Sequence, residues 1–211
     1  MVKKVNGAKR KVEDYSEVMK HEQSSNSSLK SFIPKPKKIS FELQDRDEDV
    51  ILILRQHPIT QLKVSLLLGL GFFFIPWVLN TSGLMSIFTT RFAVAFYIFM
   101  FIVFLGLLLR SFLLWFFNVY IITDERIIDV DFLSMVYKNI STAKIENIED
   151  VTNRSSGITS SIFNYGDIYI QTAGEKTEFE FENVPHPAKV AKLINELILE
   201  EEREKLEGRV N

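Results

Sequence analysis

Two long stretches without any charged residue constrain the fold of this chain more than any other feature of its sequence. Val64–Leu79 reads VSLLLGLGFFFIPWVL, and Phe92–Leu109 reads FAVAFYIFMFIVFLGLLL. A helix needs about 20 apolar residues to cross the roughly 30 Å hydrocarbon core of a bilayer. The second stretch reaches that length alone, and the first reaches it if Lys63 extends its charged end to the interface. Neither stretch has a polar face, so a buried helix of a soluble protein is the weaker interpretation.

These stretches predict transmembrane helices over residues 61–80 and 92–117, joined by a short extracytoplasmic loop over 81–91. Cationic and aromatic residues near the helix ends are the predicted membrane-interface anchors: Lys63, Trp77, Arg91, Arg110 and Trp115. At 1.5 Å per residue, Arg110 follows Arg91 by roughly one membrane thickness, so it marks the far interface. An arginine that works inside the membrane is the alternative, but the sequence has no acidic partner between residues 61 and 117.

Flanking charges predict the orientation of this pair of helices. The loop has only Arg91 at its edge, whereas the two outer flanks carry more cations: Arg46, Arg55 and Lys63 before the helices, and Arg110 and Arg126 after them. Because cationic residues favour the cytoplasmic side, we expect a cell-membrane protein with two spans and both termini in the cytoplasm. The opening MVKKVNGAKRKVEDY has no apolar core after its lysines, which argues against a cleavable signal peptide.

The segment before the helices is polar and basic. Residues 1–40 hold 10 basic and 4 acidic residues, a balance of +6, and the segment lacks a periodic apolar face. We expect a disordered cytoplasmic tail, which either lies against anionic lipids or is simply solvated. Residues 41–60 form a predicted juxtamembrane segment, in which Val50–Leu54 is a short strand or helical turn.

After Phe117 the sequence alternates between apolar and polar residues, as half-buried strands do. NVYIIT and RIIDVD flank a turn at Thr123–Glu125, and DIYIQT and TEFEFE flank AGEK, which predicts two hairpins. MVYKNIS and IEDVTNRSS supply weaker strands between them. In the last strand, Phe179 and Phe181 point one way and the glutamates point to water: Glu178, Glu180 and Glu182.

A helix is predicted to begin near Pro187 and to close this domain. Its apolar residues follow helical spacing, so one face packs on the sheet: Val190, Leu193, Ile194, Leu197 and Ile198. We therefore expect a membrane-anchored α+β protein, with a two-helix transmembrane hairpin before a mainly antiparallel β domain over 118–200. Residues 201–211 form a predicted polar tail.

The order of these motifs resembles the YdbS-like bacterial PH-domain membrane proteins. Two spans come before WFFNVYIITDERIIDVDFL, ISTAKIENIEDV, GITSSIFNYGDIYIQTAG and VPHPAKVAKLI, and ILRQHPI comes just before the first span. The resemblance covers roughly residues 42–199. It implies a PH-like fold of two antiparallel sheets capped by a C-terminal helix at the inner face of a prokaryotic membrane. It implies little about activity, because fold does not fix function.

Little in the sequence favours an enzyme. Cysteine is absent and there are three histidines, which argues against metal and thiol chemistry. Carboxylates cluster at turns and outward strand positions, which is typical of a solvated face: Asp124, Glu125, Asp129, Asp131, Glu146, Glu149 and Asp150. His186 fits a helix N-cap, and the serines at 155, 156, 160 and 161 lack the spacing of a nucleophile elbow. We expect no catalytic residue, metal or cofactor.

Two functions remain from the sequence. The first is a non-catalytic interaction module that holds a protein partner or further copies of this chain beside the lipid bilayer. The second is a sensor of lipid headgroups, and a part in transport or export is a further alternative. Residues 118–211 carry 10 basic and 18 acidic residues, a balance of −8. Because phosphorylated headgroups bind clustered Lys and Arg, this charge favours protein contacts. No nucleic acid or small-molecule substrate is expected.

Overall fold

The computed structural model describes residues 16–25, 27, 29–36, 44, 48–87, 89–132, 134, 137–174 and 176–206. The chain divides into two compact units. Pro58–Phe117 form a helical unit, and Met1–His57 together with Asn118–Asn211 form a β-rich unit. The helical unit is therefore an insertion in the sequence of the β-rich unit, which we call the β domain.

The helical unit is a hairpin of two long helices. Helix α2 runs over Ile59–Thr81 and helix α3 over Thr90–Phe117, with a 3-10 turn at Leu84–Ile87 between them. Their 23 and 28 residues correspond to about 35 and 42 Å of helix. Both are long and apolar enough to cross a membrane. The predicted helices are thus confirmed as helices, and each begins two residues earlier than predicted.

The larger sheet of the β domain has five antiparallel strands in chain order. They are β1 (Phe32–Pro34), β2 (Val50–Leu54), β3 (Val119–Thr123), β4 (Arg126–Phe132) and β5 (Lys138–Lys144). The predicted first hairpin joins β3 to β4, with Ile121 opposite Ile128. Its turn is closed by the Thr123 hydroxyl, which accepts the Arg126 N–H at 2.9 Å.

The smaller sheet has three antiparallel strands. They are β6 (Ile148–Arg154), β7 (Tyr165–Thr172) and β8 (Glu178–Pro185), with a short helix α4 (Ile158–Phe163) between β6 and β7. The predicted second hairpin, β7–β8, is confirmed. In β8, Phe179 and Phe181 are buried and the three alternating glutamates are exposed, as the period of two predicts.

The C-terminal helix closes the core of the β domain. Helix α5 runs over Pro187–Leu206 and begins at the predicted proline. Val190, Leu193, Ile194 and Leu197 are buried, and Ile198 is partly buried against the same core. The predicted helix and its apolar face are confirmed, and the helix continues six residues into the predicted polar tail. The class predicted from sequence, a helical hairpin before a mainly antiparallel β domain with a closing helix, is confirmed.

The segment before the hairpin departs from the sequence analysis, which places it outside the β domain. Strand β2 is buried at all five positions and lies between β1 and β3. Helix α1 (Glu17–Lys20) buries Val18 and Met19 in the same core cluster as α5. The β domain therefore begins before residue 20, and the expected disorder over 1–40 does not hold for its described part. Residues 1–15 and 37–40 lie outside the described residues.

Candidate functional site: an acidic groove

Two polar contacts fix how the helices of the hairpin pair. At one end the Ser111 hydroxyl donates to Gln61 Oε1 at 2.8 Å, and at the other Asn80 Nδ2 donates to the Tyr97 hydroxyl at 2.9 Å. Between them, the Phe72 and Phe104 rings stack with centroids 4.6 Å apart. Polar contacts of this kind set the register of apolar helices, whose packing alone is weakly directional.

This register shows where the predicted anchors lie. Lys63 and Arg110 both lie one or two residues from the Gln61–Ser111 contact, at the end where the hairpin joins the β domain. Arg91 is the second residue of α3, at the other end. Trp77 is 61% exposed, whereas Trp115 is only 7% exposed. No observation tests the anchor roles, which stay predictions, but the burial of Trp115 sets it apart from Trp77.

The β domain positions the two ends of the inserted hairpin side by side. Leu54, near the exit, pairs with Tyr120, near the return, in adjacent strands β2 and β3. The Asn118 side chain secures the return: its Oδ1 accepts the Phe132 N–H at 2.7 Å, and its Nδ2 donates to Asp131 Oδ1 at 3.0 Å. The chain thus leaves and re-enters one folded domain at neighbouring points.

A groove of 340 Å³ opens in the β domain beside these two points. Its lining comes from both sheets: Gln56, Asn118, Tyr120, Asp129, Asp131, Lys176, Glu178, Glu180 and Glu182. The Tyr120 ring stacks on Phe181 with centroids 4.4 Å apart, and its hydroxyl accepts the Glu182 N–H at 3.2 Å. Tyr120 therefore joins the two sheets beneath the groove.

The groove is strongly acidic. Five carboxylates line it, whereas its one cationic side chain, Lys176, lies 3.2 Å from Asp129. Burial raises the pKa of Asp129, and Lys176 partly opposes that rise. Burial also raises the pKa of Glu182, and the negative charges of Glu180 and other nearby acids add to it. Carboxylates under such repulsion are stabilised by any cation that enters the groove.

The sequence predicts that Asp129 and Asp131 lie on a solvated hairpin and that the β8 glutamates form a solvated face, but it does not predict that these acids lie together. The alternation of acids in β4 and β8 was visible. The convergence of these acids cannot be predicted in this way, because the two strands belong to different sheets. The sheets are joined by the contact of Tyr120 with β8. His186 lies directly before α5 and its carbonyl accepts the Lys189 N–H at 2.9 Å, which fits the predicted N-cap position.

The chemistry that the groove offers is electrostatic. Among the described residues, no group of three or more His, Asp or Glu side chains has an arrangement that could hold a metal ion. The acids line a wide cleft, and Asp129, whose side chain is 13% exposed, already pairs with Lys176. What the arrangement offers is a negative surface that attracts lysine or arginine side chains.

Comparisons with known proteins bear on this site. The family model described as Bacterial PH domain matches residues 64–198. Among solved structures, the chain is similar to a DUF1696 family protein with a pleckstrin-homology domain from Shewanella loihica PV-4, at 14% sequence identity and a TM-score of 0.32. That similarity covers 38% of this chain and 70% of the other. A search of curated proteins found no match. The family match begins within α2, after β1 and β2.

Proposed function

This chain belongs to the bacterial PH domain family, and from that premise we propose that it is an integral membrane protein whose β domain binds a positively charged segment of a partner protein. The acidic groove is the observation that carries this proposal. Its five carboxylates and one paired lysine would repel phosphorylated headgroups, which bind where lysines and arginines cluster. The proposed module is non-catalytic, as the sequence analysis expects.

Membrane insertion is supported by the exposure of the hairpin. Helix α2 has no buried residue, and large side chains such as Leu67 and Phe73 are 71% and 74% exposed. Such a surface is unfavourable in water at roughly 25 cal/mol per Å² of apolar area. From Gln61 to Asn80, α2 rises by about 28 Å, which suits the hydrocarbon core of a bilayer.

The pairing of β2 with β3 supports two membrane crossings and argues against a single crossing. Because the hairpin leaves and re-enters one folded domain, Pro58 and Phe117 must lie on the same side of the membrane. Lys63 and Arg110 lie at the end of the hairpin that joins the domain, whereas Arg91 lies at the other end. This distribution favours a cytoplasmic β domain.

The position of the groove narrows the class of partner. Gln56 and Asn118 line it and are also within two residues of the hairpin. The groove therefore lies near the point where the chain enters the membrane. Basic juxtamembrane segments are abundant on the cytoplasmic side of membrane proteins. We take such a segment of a partner, or of another copy of this chain, as the occupant.

Photocrosslinking of the full-length protein in cell membranes tests this proposal. A photoreactive residue at Glu180 in the groove is compared with one at Glu149, an exposed acid on β6. We expect a protein adduct from Glu180 that disappears with Asp131→Lys and persists with Asp150→Lys, which changes the net charge equally. An adduct from Glu180 with anionic lipid, and none with protein, would favour the lipid sensor instead.

Thiol labelling tests the orientation separately, because the natural chain has no cysteine. Ser82→Cys lies between the helices, and Asn139→Cys lies on an exposed position of β5. An impermeant reagent on intact cells should label Ser82→Cys and leave Asn139→Cys unlabelled until the membrane is opened. The reverse pattern would place the β domain outside.

A further inference from the structure

Helix α4 presents three large apolar side chains to the outside of the β domain. Ile158 is 81% exposed, Ile162 is 69% exposed and Phe163 is 47% exposed. The two isoleucines are four residues apart, so they project from the same side of this single helical turn. Side chains of this size are usually covered in a folded domain, and a cluster of them marks a contact surface.

The exposure of this cluster is built into the local structure. The Ser160 side chain is buried beneath it, and its hydroxyl donates to the Gly157 carbonyl at 2.7 Å. The Thr159 hydroxyl lies 2.9 Å from the Tyr165 hydroxyl, which gives the helix a second polar contact with the domain. Asn164 ends the helix in a left-handed conformation, with its side chain 2.9 Å from His186 Nδ1. The turn is thus held in place with its apolar side chains outward.

The cluster lies at the point where the chain leaves for the helical hairpin. The His57 ring lies 6.4 Å from the Phe163 ring and stacks on Tyr165 with centroids 5.4 Å apart. The His57 N–H also donates to the Asn183 carbonyl at 2.7 Å, which fixes this residue on the β domain. Two residues later, Ile59 begins α2. The apolar cluster therefore lies beside His57, which is two residues before a helix proposed to span the membrane.

The charge around the cluster suits the same environment. From Val151 to Gly166 the only charged residue is Arg154, although residues 118–211 as a whole hold 10 basic and 18 acidic residues. The absence of acids in this segment removes the repulsion that an anionic membrane surface exerts on the rest of the domain.

We propose that helix α4 dips into the interfacial region of the bilayer, where Ile158, Ile162 and Phe163 contact lipid. This inference rests on the proposed membrane insertion of the hairpin and adds a third point at which the chain touches the membrane. It commits to lipid as the occupant because His57, which lies beside the cluster, is two residues before a helix proposed to span the membrane. The contact holds the β domain, and with it the acidic groove, in one orientation over the membrane surface.

Site-specific fluorescence in the full-length protein, reconstituted in liposomes, tests this inference. An environment-sensitive fluorophore is attached to Ile162→Cys, to Leu199→Cys or to Phe101→Cys, and the liposomes carry lipids with a nitroxide near the headgroup or deep in the chain. Leu199 is a matched control because it is 55% exposed and lies about 18 Å along α5 from its first residue, Pro187. Phe101 reports on the hairpin itself.

We expect the shallow quencher to reduce emission at Ile162→Cys at least threefold more than at Leu199→Cys, and the deep quencher to act on Phe101→Cys. The substitution Ile158→Glu should abolish the difference at Ile162→Cys, whereas Leu206→Glu, at another exposed position, should leave it unchanged.

Equal quenching at residues 162 and 199 with quenching at 101 would overturn the inference and leave the membrane hairpin intact. Absence of quenching at 101 would overturn both. Disulfide-linked dimers through Ile162→Cys, without quenching, would identify a second copy as the occupant and also overturn the inference.

Discussion

Strand β2 and helix α2 are separated by four residues and are built from similar aliphatic side chains, yet their surroundings are opposite. All five residues of β2, VILIL, are buried, whereas α2 buries none of its 23 residues. The strand satisfies its backbone through neighbouring strands and its side chains through two core clusters. The helix satisfies its backbone internally and, on the proposed function, its side chains contact lipid. Hydrophobicity alone therefore does not separate a buried strand from a long, exposed apolar helix.

The contrast is sharpest when one leucine is removed from each region. Leu52 in β2 is fully buried and Leu67 in α2 is 71% exposed. We expect Leu52→Ala to lower the free energy of unfolding of the β domain by about 2–5 kcal/mol, because it removes core contacts and leaves a cavity. Leu67→Ala should leave that stability unchanged. Pulse proteolysis of the full-length protein in urea measures both, and equal effects would contradict the separation of the two regions.

An ion pair ties the segment before the hairpin to the segment after it. Glu48 has a fully buried side chain and accepts two hydrogen bonds from Arg126, at 2.9 and 2.8 Å. Loss of one partner leaves a buried charge uncompensated. Because the Arg126 side chain is 22% exposed, we expect Glu48→Gln to cost about 2–3 kcal/mol, below the range for a wholly buried pair. Glu146→Gln, which removes two exposed contacts, with Lys144 and Lys205, is the control, and a similar loss there would refute this role for Glu48.

A smaller effect is expected where two strands of the β domain approach closely. A Cβ atom at Gly166 would lie 2.4 Å from the Arg154 carbonyl oxygen, so Gly166→Ala must push β6 away from β7. Overpacking of this kind costs about 1–3 kcal/mol, and the backbone contact cannot be relieved by rotation of a side chain. At Gly174 the nearest atom would be 3.6 Å away. Gly174→Ala should therefore be tolerated, and thermal melting of the two variants compares them.

The smallest predicted effect concerns pH. Burial raises the pKa of Asp124 from 3.8 to about 6. The folded domain then binds a proton that the unfolded chain has already lost, so the free energy of unfolding falls as pH rises from about 4 to 6. Asp124 is partly exposed, and solvent screening reduces the change to about 1 kcal/mol. Asp124→Asn keeps an acceptor for the Asp49 N–H, which lies 2.8 Å away. This substitution should reduce the dependence of the free energy of unfolding on pH. Urea titrations at pH 4, 5, 6 and 7 measure that dependence. An unchanged curve would exclude Asp124 as the source.

Much of this architecture could be predicted because its signals are local. The hairpins at Thr123–Glu125 and between β7 and β8 follow from alternation around a turn, and α5 follows from its apolar spacing. Strand β2 could not be assigned in the same way. A strand buried on both faces has no alternation, and VILIL is short enough for a strand or a helical turn. Its partner strand β3 lies at least 65 residues further along the chain, after the inserted hairpin.

The groove and the outward cluster on α4 were missed for different reasons. The acids of β4 and β8 converge only through the packing of two sheets, which no spacing in the sequence encodes. The cluster on α4 lies in a stretch, GITSSIF, whose serines resemble a loop. Its meaning depends on contact with His57, a residue on the other side of the hairpin.

Our central claim is that one β domain is assembled from both sides of the inserted helical hairpin. Two shortened chains test it: residues 118–206 alone, and residues 16–57 joined to 118–206 through a flexible linker of about eight Gly and Ser residues. Because Leu54 and Tyr120 are paired neighbours, the short linker spans the gap without strain. We predict a cooperative thermal melt and a β-rich circular dichroism spectrum for the joined chain, and no cooperative melt for 118–206 alone. A cooperative melt of equal midpoint from residues 118–206 alone would contradict the account.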